Sequence, residues 1–292
     1  MGTLSEIVSH THRDNWYTNR RSNAVSMSRI RTNDIEIYYE RRGAGPPLVF
    51  IHGAVIDDHT SWTPQVESFS NEYTTFAYDV RGHGRTGGSR LPSYSISLLA
   101  DDLGAFIDGL DIEQPVLCGF SMGGMVAQTY AARHPDRVGA LIIADSYGPY
   151  VFSRREWIVR VGFPEIAHPI VRLVGYERMK QALHWILVQV GGEESLGEFE
   201  GVERFPRMDS DEVVKVLRAV ATFHQSNLDL SEITAPTLIL YGDHGLPFFQ
   251  HHAAKLAAEI PDASVKSIPT TTHMLNVDNP EAFDAAIREF LE

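Results

Sequence analysis

The sequence predicts an α/β fold, a mostly parallel, doubly wound sheet with a helical block inserted late in the chain. Three observations predict it. Short, near-continuous apolar runs alternate with stretches whose apolar residues recur at helical spacing, as expected of strands covered by helices on both faces. The 292 residues suit one large α/β domain with an insertion better than two equal domains. One segment, residues 147–229, breaks the alternation: it holds no convincing strand but is dense in helix formers and large apolar residues.

Taken in order, residues 1–26 are polar and show neither strand nor helix periodicity, so a disordered tail is expected. Met27 precedes the alternating run Ile35-Glu36-Ile37-Tyr38-Tyr39, and a natural start at Met27 is one reading of that boundary. The core is expected over residues 28–146 and 230–292. Its strands are predicted at Pro47–Ile51, Tyr73–Tyr78, Pro115–Cys118, Ala140–Ala144, Pro236–Tyr241 and residues 262–268. Helices are predicted at Ser97–Leu110, Met122–His134, Phe248–Ile260 and Pro280–Leu291, several of them just after a Ser or Asn able to cap the first turn. The insertion, with Trp157, Ile158, Phe163, Met179, Leu183, Trp185, Ile186, Leu187 and Phe223, reads as a helical lid over the carboxyl ends of the strands, where open α/β sheets bind ligands.

Composition narrows the function. A 43% hydrophobic, 22% charged chain is an ordinary globular one, and a net charge of −13 argues against a nucleic-acid partner, which needs clustered Lys and Arg. No apolar run reaches membrane-span length and no signal-peptide core is present. The lone Cys118 sits among apolar residues as a small hydrophobe. A cytoplasmic protein acting on a small molecule is expected, with oligomeric state left open.

The strongest chemical signal is Gly119-Phe120-Ser121-Met122-Gly123, between a predicted strand and a predicted helix. A reversal that sharp strains the serine backbone, and only small residues two positions to either side escape collision with it. The second is His52-Gly53-Ala54 at the end of the strand Pro47–Ile51. Acyl transfer builds charge on a carbonyl oxygen that two backbone N–H groups can stabilise, and those of Ala54 and Met122 are the candidates. The His52 side chain reads as structural. His273 lies in a loop between the last strand and last helix, able to reach across the sheet end. His244, His251 and His252 do not read as a metal site, because adjacent helical residues point to different sides and no Cys or carboxylate pattern accompanies them. Neither metal nor cofactor is called for.

The His52-Gly53 turn, Asp79-Val80-Arg81-Gly82-His83-Gly84, Gly119-Phe120-Ser121-Met122-Gly123-Gly124, Ala235-Pro236-Thr237-Leu238 and the late His273 together resemble the α/β-hydrolase family over roughly residues 28–292. The resemblance implies a triad in which Ser121 attacks, His273 takes its proton and a carboxylate fixes the imidazole tautomer. It treats Asp79–Gly84 as structural, leaving Arg81 and His83 without chemistry. The acid departs from the family pattern, since Gly242-Asp243-His244-Gly245 has glycine where relatives usually carry Asp. Two carboxylates stay open. Asp243 lies two residues early on that loop, and Asp145 ends the sixth strand, a place that supplies the acid in a minority of the family; Asp145 is preferred.

Epoxide hydrolases and dehalogenases of this fold use Asp where this chain has Ser121, so the resemblance favours hydrolysis of a small, largely apolar ester, lactone or enol-lactone. Carbon–carbon hydrolysis and perhydrolysis by the same triad are alternatives, because fold does not separate these chemistries. A displaced acid also admits a ligand-binding protein that has lost turnover.

Overall fold

A computed structural model of the chain describes residues 26–55, 57–162 and 208–292, with isolated positions 173–175, 178 and 181 between them. Eight strands form one sheet in the order β1-β2-β4-β3-β5-β6-β7-β8. They are β1 Ser26–Thr32, β2 Ile35–Arg42, β3 Pro47–Ile51, β4 Thr74–Tyr78, β5 Val116–Phe120, β6 Ala140–Ala144, β7 Thr237–Gly242 and β8 Ala263–Ile268. β1 and β2 pair antiparallel, and β2 pairs antiparallel with β4. All remaining pairs are parallel, as strands joined through crossover helices must be.

Alternation along β3 shows how the sheet is sandwiched. Leu48 and Phe50 face one layer, with Cys118, Trp62 and Phe283, while Val49 and Ile51 face the other, with Leu103, Leu117 and Met125. The first layer is built by α1 (Thr63–Phe69) and the last helix α8 (Pro280–Leu291); the second holds α2 (Ile96–Gly109), α3 (Met122–Arg133) and α6 (Pro247–Glu259). Caps mark where helices begin. Ser95 Oγ accepts from Leu98 N at the start of α2, and Asn279 Oδ1 accepts from Ala282 N at the start of α8, each such cap contributing about 1 kcal/mol. Cys118 is fully buried at the middle of the sheet, which pushes its thiol well up from the ordinary range.

The expected strands and helices agree with the observed ones to within two residues at either end, and the alternating run Ile35–Tyr39 lies within β2; β1, α1 and the short α7 (Leu275–Asp278) lie outside those expectations. β1 carries Ser and Arg on a mostly exposed edge and pairs only with β2, so it lacks the apolar run that marks a covered strand. It also begins at Ser26, which moves the end of the expected tail back by one residue; residues 1–25 lie outside the described residues.

The insertion follows β6. Its described part includes α4 (Arg154–Trp157) running into a single π-helical turn, Ile158–Gly162, and later α5 (Ser210–Ala221). Phe223 is buried, whereas Trp157 and Ile158 are about half exposed. Phe163, Met179, Leu183, Trp185, Ile186 and Leu187 lie outside the described residues. Among the described residues, no helix is long and apolar enough to cross a membrane.

The turn after β4 is anchored by buried charge. Arg81 donates to Asp102 through Nε at 2.6 Å and Nη2 at 2.7 Å, and to Asp34 at 2.7 and 3.1 Å. Asp79 receives His59 Nδ1 at 2.6 Å and Arg85 N at 2.6 Å, and His59 Nε2 lies 3.2 Å from Glu40. Burial opposes charge on both members of the pair, yet Asp79 holds His59 above the usual histidine range, helped by Asp58 and Glu40, and His59 holds Asp79 below the usual carboxylate range. The raised histidine contributes stability that is complete below about pH 6.5 and lost as pH rises through its folded value; the lowered carboxyl contributes above about pH 4 and loses it on acidification. The contribution of His59 should therefore fall as pH rises above about 6.5, so the stability difference between wild type and His59→Gln in urea unfolding should shrink from pH 6 to pH 9. A difference that stays constant over that range would show that His59 takes up no extra proton on folding.

Candidate active site

Ser121 stands between β5 and α3 with φ 51° and ψ −115°, a backbone conformation that costs of order 1–3 kcal/mol in a non-glycine residue and persists only where surroundings enforce it. The enforcement is visible. Ser121 N donates to Ala144 O on β6 at 2.9 Å, and Ser146 Oγ donates to Ser121 O at 2.7 Å. A Cβ on Gly119 would run into the Gly123 backbone, and one on Gly123 would run into Ile51 O and His52 O. Both glycines are therefore imposed by the close passage of α3 over the ends of β3 and β5.

Asp145 is the first residue past β6 and, with φ 41°, sits in the left-handed region that Asp tolerates better than most residues. Its N–H donates to Leu240 O at 2.8 Å, prolonging the β6–β7 ladder by one bond. The side chain is fully buried, and its Oδ2 lies 2.5 Å from His273 Nδ1 while Oδ1 accepts from Gly242 N at 3.3 Å. Burial pushes the Asp145 carboxyl up from the ordinary range, against the pull of the His273 hydrogen bond and charge and of the Gly242 N–H. A carboxylate in such a place gains most when its imidazole partner becomes cationic, which is the state a general base reaches during turnover.

Asp243 does not meet His273. It is exposed, and its Oδ1 accepts from Thr271 N at 3.3 Å, so it braces the loop that carries His273. His273 is wedged between Phe120, at 4.9 Å between ring centroids, and Phe249, stacked at 4.7 Å and 20°. With Nδ1 engaged by Asp145, Nε2 is the ring nitrogen left for a substrate-side partner. The Phe120 contact brings the ring against the residue next to Ser121.

The two N–H groups expected as oxyanion donors lie on the segments that follow β5 and β3. Met122 N–H belongs to the first turn of α3, whose amides have no acceptor within the helix. The Ala54 loop follows β3, and its neighbours are pinned: Gly53 N donates to Asp57 Oδ2 at 2.7 Å and Val55 N to His83 Nε2 at 3.0 Å. His52 is structural in its side chain, accepting Val80 N through Nε2 at 3.0 Å with Nδ1 2.7 Å from Gly53 O.

The histidines of α6 and the preceding loop separate as anticipated, with His244 and His251 exposed and His252 buried. His252 Nε2 lies 2.7 Å from Glu156 Oε1 and 3.1 Å from Arg160, and Gly148 N points to its Nδ1 at 3.3 Å. Burial drives its pKa down to about 4. With the Glu156–Arg160 pair it fastens the start of the insertion to α6. The cation-ligand types Asp58, His59 and Asp79 do lie within 4.8 Å of one another, but His59 and Asp79 are bonded to each other and Asp58 Oδ1 accepts from Thr60.

Sequence reasoning missed Asp57, Ser146, Phe120 and Phe249. Ser146 directly follows Asp145, and Asp57 lies four residues past Gly53, so proximity to recognised motifs was the one available signal. Phe249 had none, since a helical aromatic reads as core.

Residues 48–286 match the model of the alpha/beta hydrolase family. The chain belongs to that family. Epoxide hydrolase 3 of Xenopus tropicalis is 28% identical to it, over 90% of this chain and 77% of that protein. A putative carbamate hydrolase, RutD, of Agrobacterium fabrum is 25% identical over 86% of this chain and 95% of its own. Among solved structures, a thermophilic esterase from Thermogutta terrifontis superposes with a TM-score of 0.74 at 25% identity, covering 91% of this chain and 98% of that one. The chain thus stands among the hydrolases of that family.

Proposed function

We propose that the chain is a serine hydrolase that cleaves a small, largely apolar carboxylic ester, lactone or enol-lactone through an acyl-enzyme. The observation that carries the reading is the 2.5 Å contact between His273 Nδ1 and the buried Asp145, made at the strand ends beside the strained Ser121 turn. In this reading Ser121 Oγ attacks the acyl carbon as His273 Nε2 takes its proton, and the N–H groups of Ala54 and Met122 receive the developing oxyanion. The imidazolium returns the proton to the leaving alkoxide. Water then repeats the sequence on the acyl-serine. Asp145 keeps Nδ1 protonated throughout and stabilises the transient charge.

Ser121, rather than a carboxylate, supports acyl transfer over the epoxide opening named for the Xenopus relative. The esterase neighbour is similar over nearly its whole length, which supports an ester-type substrate. The rings of Phe120 and Phe249 against His273, with Tyr147 packed on Phe249, favour an apolar acyl group, because a charged one would be desolvated there without a partner. The segment between β6 and β7, fastened at Glu156, Arg160 and His252, is assigned as a lid over the strand ends. The single buried Cys118 fits a reducing cytoplasm.

A panel of p-nitrophenyl esters and simple lactones tests the reading. Short neutral acyl esters should turn over with a burst of nitrophenol equal to the enzyme present, and acyl groups bearing a carboxylate should react more slowly. Folded protein that hydrolyses no member of the panel, or turns over without a burst when deacylation is slowed by a bulky acyl group, would contradict it.

A further inference from the structure

We infer that His83 and Asp57 are positioning residues for the Ala54 N–H, holding the oxyanion loop in a strained turn from both sides. The inference rests on the reading of Ser121 and Ala54 given above. Val55, the residue after Ala54, has φ 67°. For a β-branched side chain this left-handed conformation is a true outlier, which a chain does not adopt unless something holds it there. Two buried groups do so. His83, from the turn after β4, accepts Val55 N–H through Nε2 at 3.0 Å, and Asp57 Oδ2 accepts Gly53 N–H at 2.7 Å. The amides on either side of Ala54 are thereby fixed.

The His83 ring is set up for this task. Its Nδ1 lies 3.1 Å from Arg81 O, so Nδ1 carries the proton and Nε2 presents a lone pair. Full burial keeps the ring neutral, with its pKa pushed down to about 3, and His52 packs edge-on at 4.8 Å between centroids. Arg81, which carries the accepting carbonyl, is itself immobilised by Asp102 and Asp34. A chain of fixed groups thus runs from the buried Arg81 ion pairs through His83 to Val55. Losing the Nε2 acceptor would let Val55 relax to a negative φ and turn the adjoining peptide, tilting Ala54 N–H away from the oxyanion while leaving the substrate pocket walls in place.

The test is a comparison of His83→Leu, His83→Gln and Asp57→Ala with wild type on p-nitrophenyl acetate, kcat being expressed per site titrated with a fluorophosphonate. Removing the acceptor in His83→Leu should lower kcat per titrated site roughly 10- to 100-fold, the scale of a misplaced catalytic group, with KM changed less than about twofold. Glutamine, whose Oε1 reaches the Nε2 position, should restore most of the loss. A purely structural role would reduce the titratable fraction and leave kcat per site unmoved. Should His83→Leu not fold, Asp57→Ala asks the same question from the other side of Ala54, with the same split expected. Wild-type kcat per site in the folded variants, or a loss that glutamine does not restore, overturns the proposal. A wild-type enzyme that takes up no fluorophosphonate on Ser121 overturns the triad reading itself, and this inference with it.

Discussion

Replacing Asp145 by Asn should lower kcat by about 10⁴, because the amide would stabilise the imidazole tautomer that cannot accept the serine proton. The expectation follows from the burial of Asp145 and its 2.5 Å contact with His273 Nδ1. The fold should survive, since Asn fills the same space and its amide oxygen can still accept Gly242 N–H, the bond made by Oδ1 in the wild type. Asp243→Asn is the internal control. Its side chain is exposed and accepts one loop amide, which Asn can also do, so its kcat should stay within about a factor of three, in line with the small effect of most surface changes. Both variants should be measured as folded protein on one ester. A large loss in Asp243→Asn with none in Asp145→Asn would transfer the orienting role to the β7 loop.

Ser121→Ala should cost more still, on the order of 10⁶ in kcat, the scale seen when a triad nucleophile is removed and only oxyanion stabilisation and binding remain. Alanine should not destabilise the protein much. The hydroxyl makes no bond that holds the turn together; the turn is held by Ser121 N on Ala144 O, by Ser146 Oγ on Ser121 O, and by the absence of side chains on Gly119 and Gly123. Circular dichroism and urea unfolding should therefore match wild type while turnover disappears. Retention of more than about a hundredth of the wild-type rate would be too much for that residual catalysis, and would mean that another residue opens the ester.

Much of this arrangement was legible in the sequence because it depends on local demands. Near-continuous apolar runs mark strands covered on both faces, and the Ala140–Ala144 and Pro47–Ile51 runs coincide with β6 and β3. The Ser121 turn was legible because its two flanking glycines are imposed by sterics that few other sequences satisfy. The edge strand β1 was not, since one exposed face and a single neighbour place little demand on its residues. Nor did the sequence carry the choice of acid beyond a preference for Asp145. Asp145 and Asp243 both follow strands at the same edge of the sheet, and what separates them is a side-chain direction set by the left-handed backbone of Asp145 and by the reach of the His273 loop. The support of the oxyanion loop by His83 joins residues 28 positions apart through one hydrogen bond, which no periodicity encodes.

The central claim is that Ser121 is a nucleophile activated by His273. The most direct measurement is intact-protein and peptide mass spectrometry after brief exposure to a fluorophosphonate, which reacts at a useful rate only with a serine paired to a neighbouring base. One adduct per chain is expected, mapping to the peptide that contains Ser121, formed far more slowly in Asp145→Asn and absent in Ser121→Ala. An adduct that persists undiminished in Ser121→Ala would contradict the account.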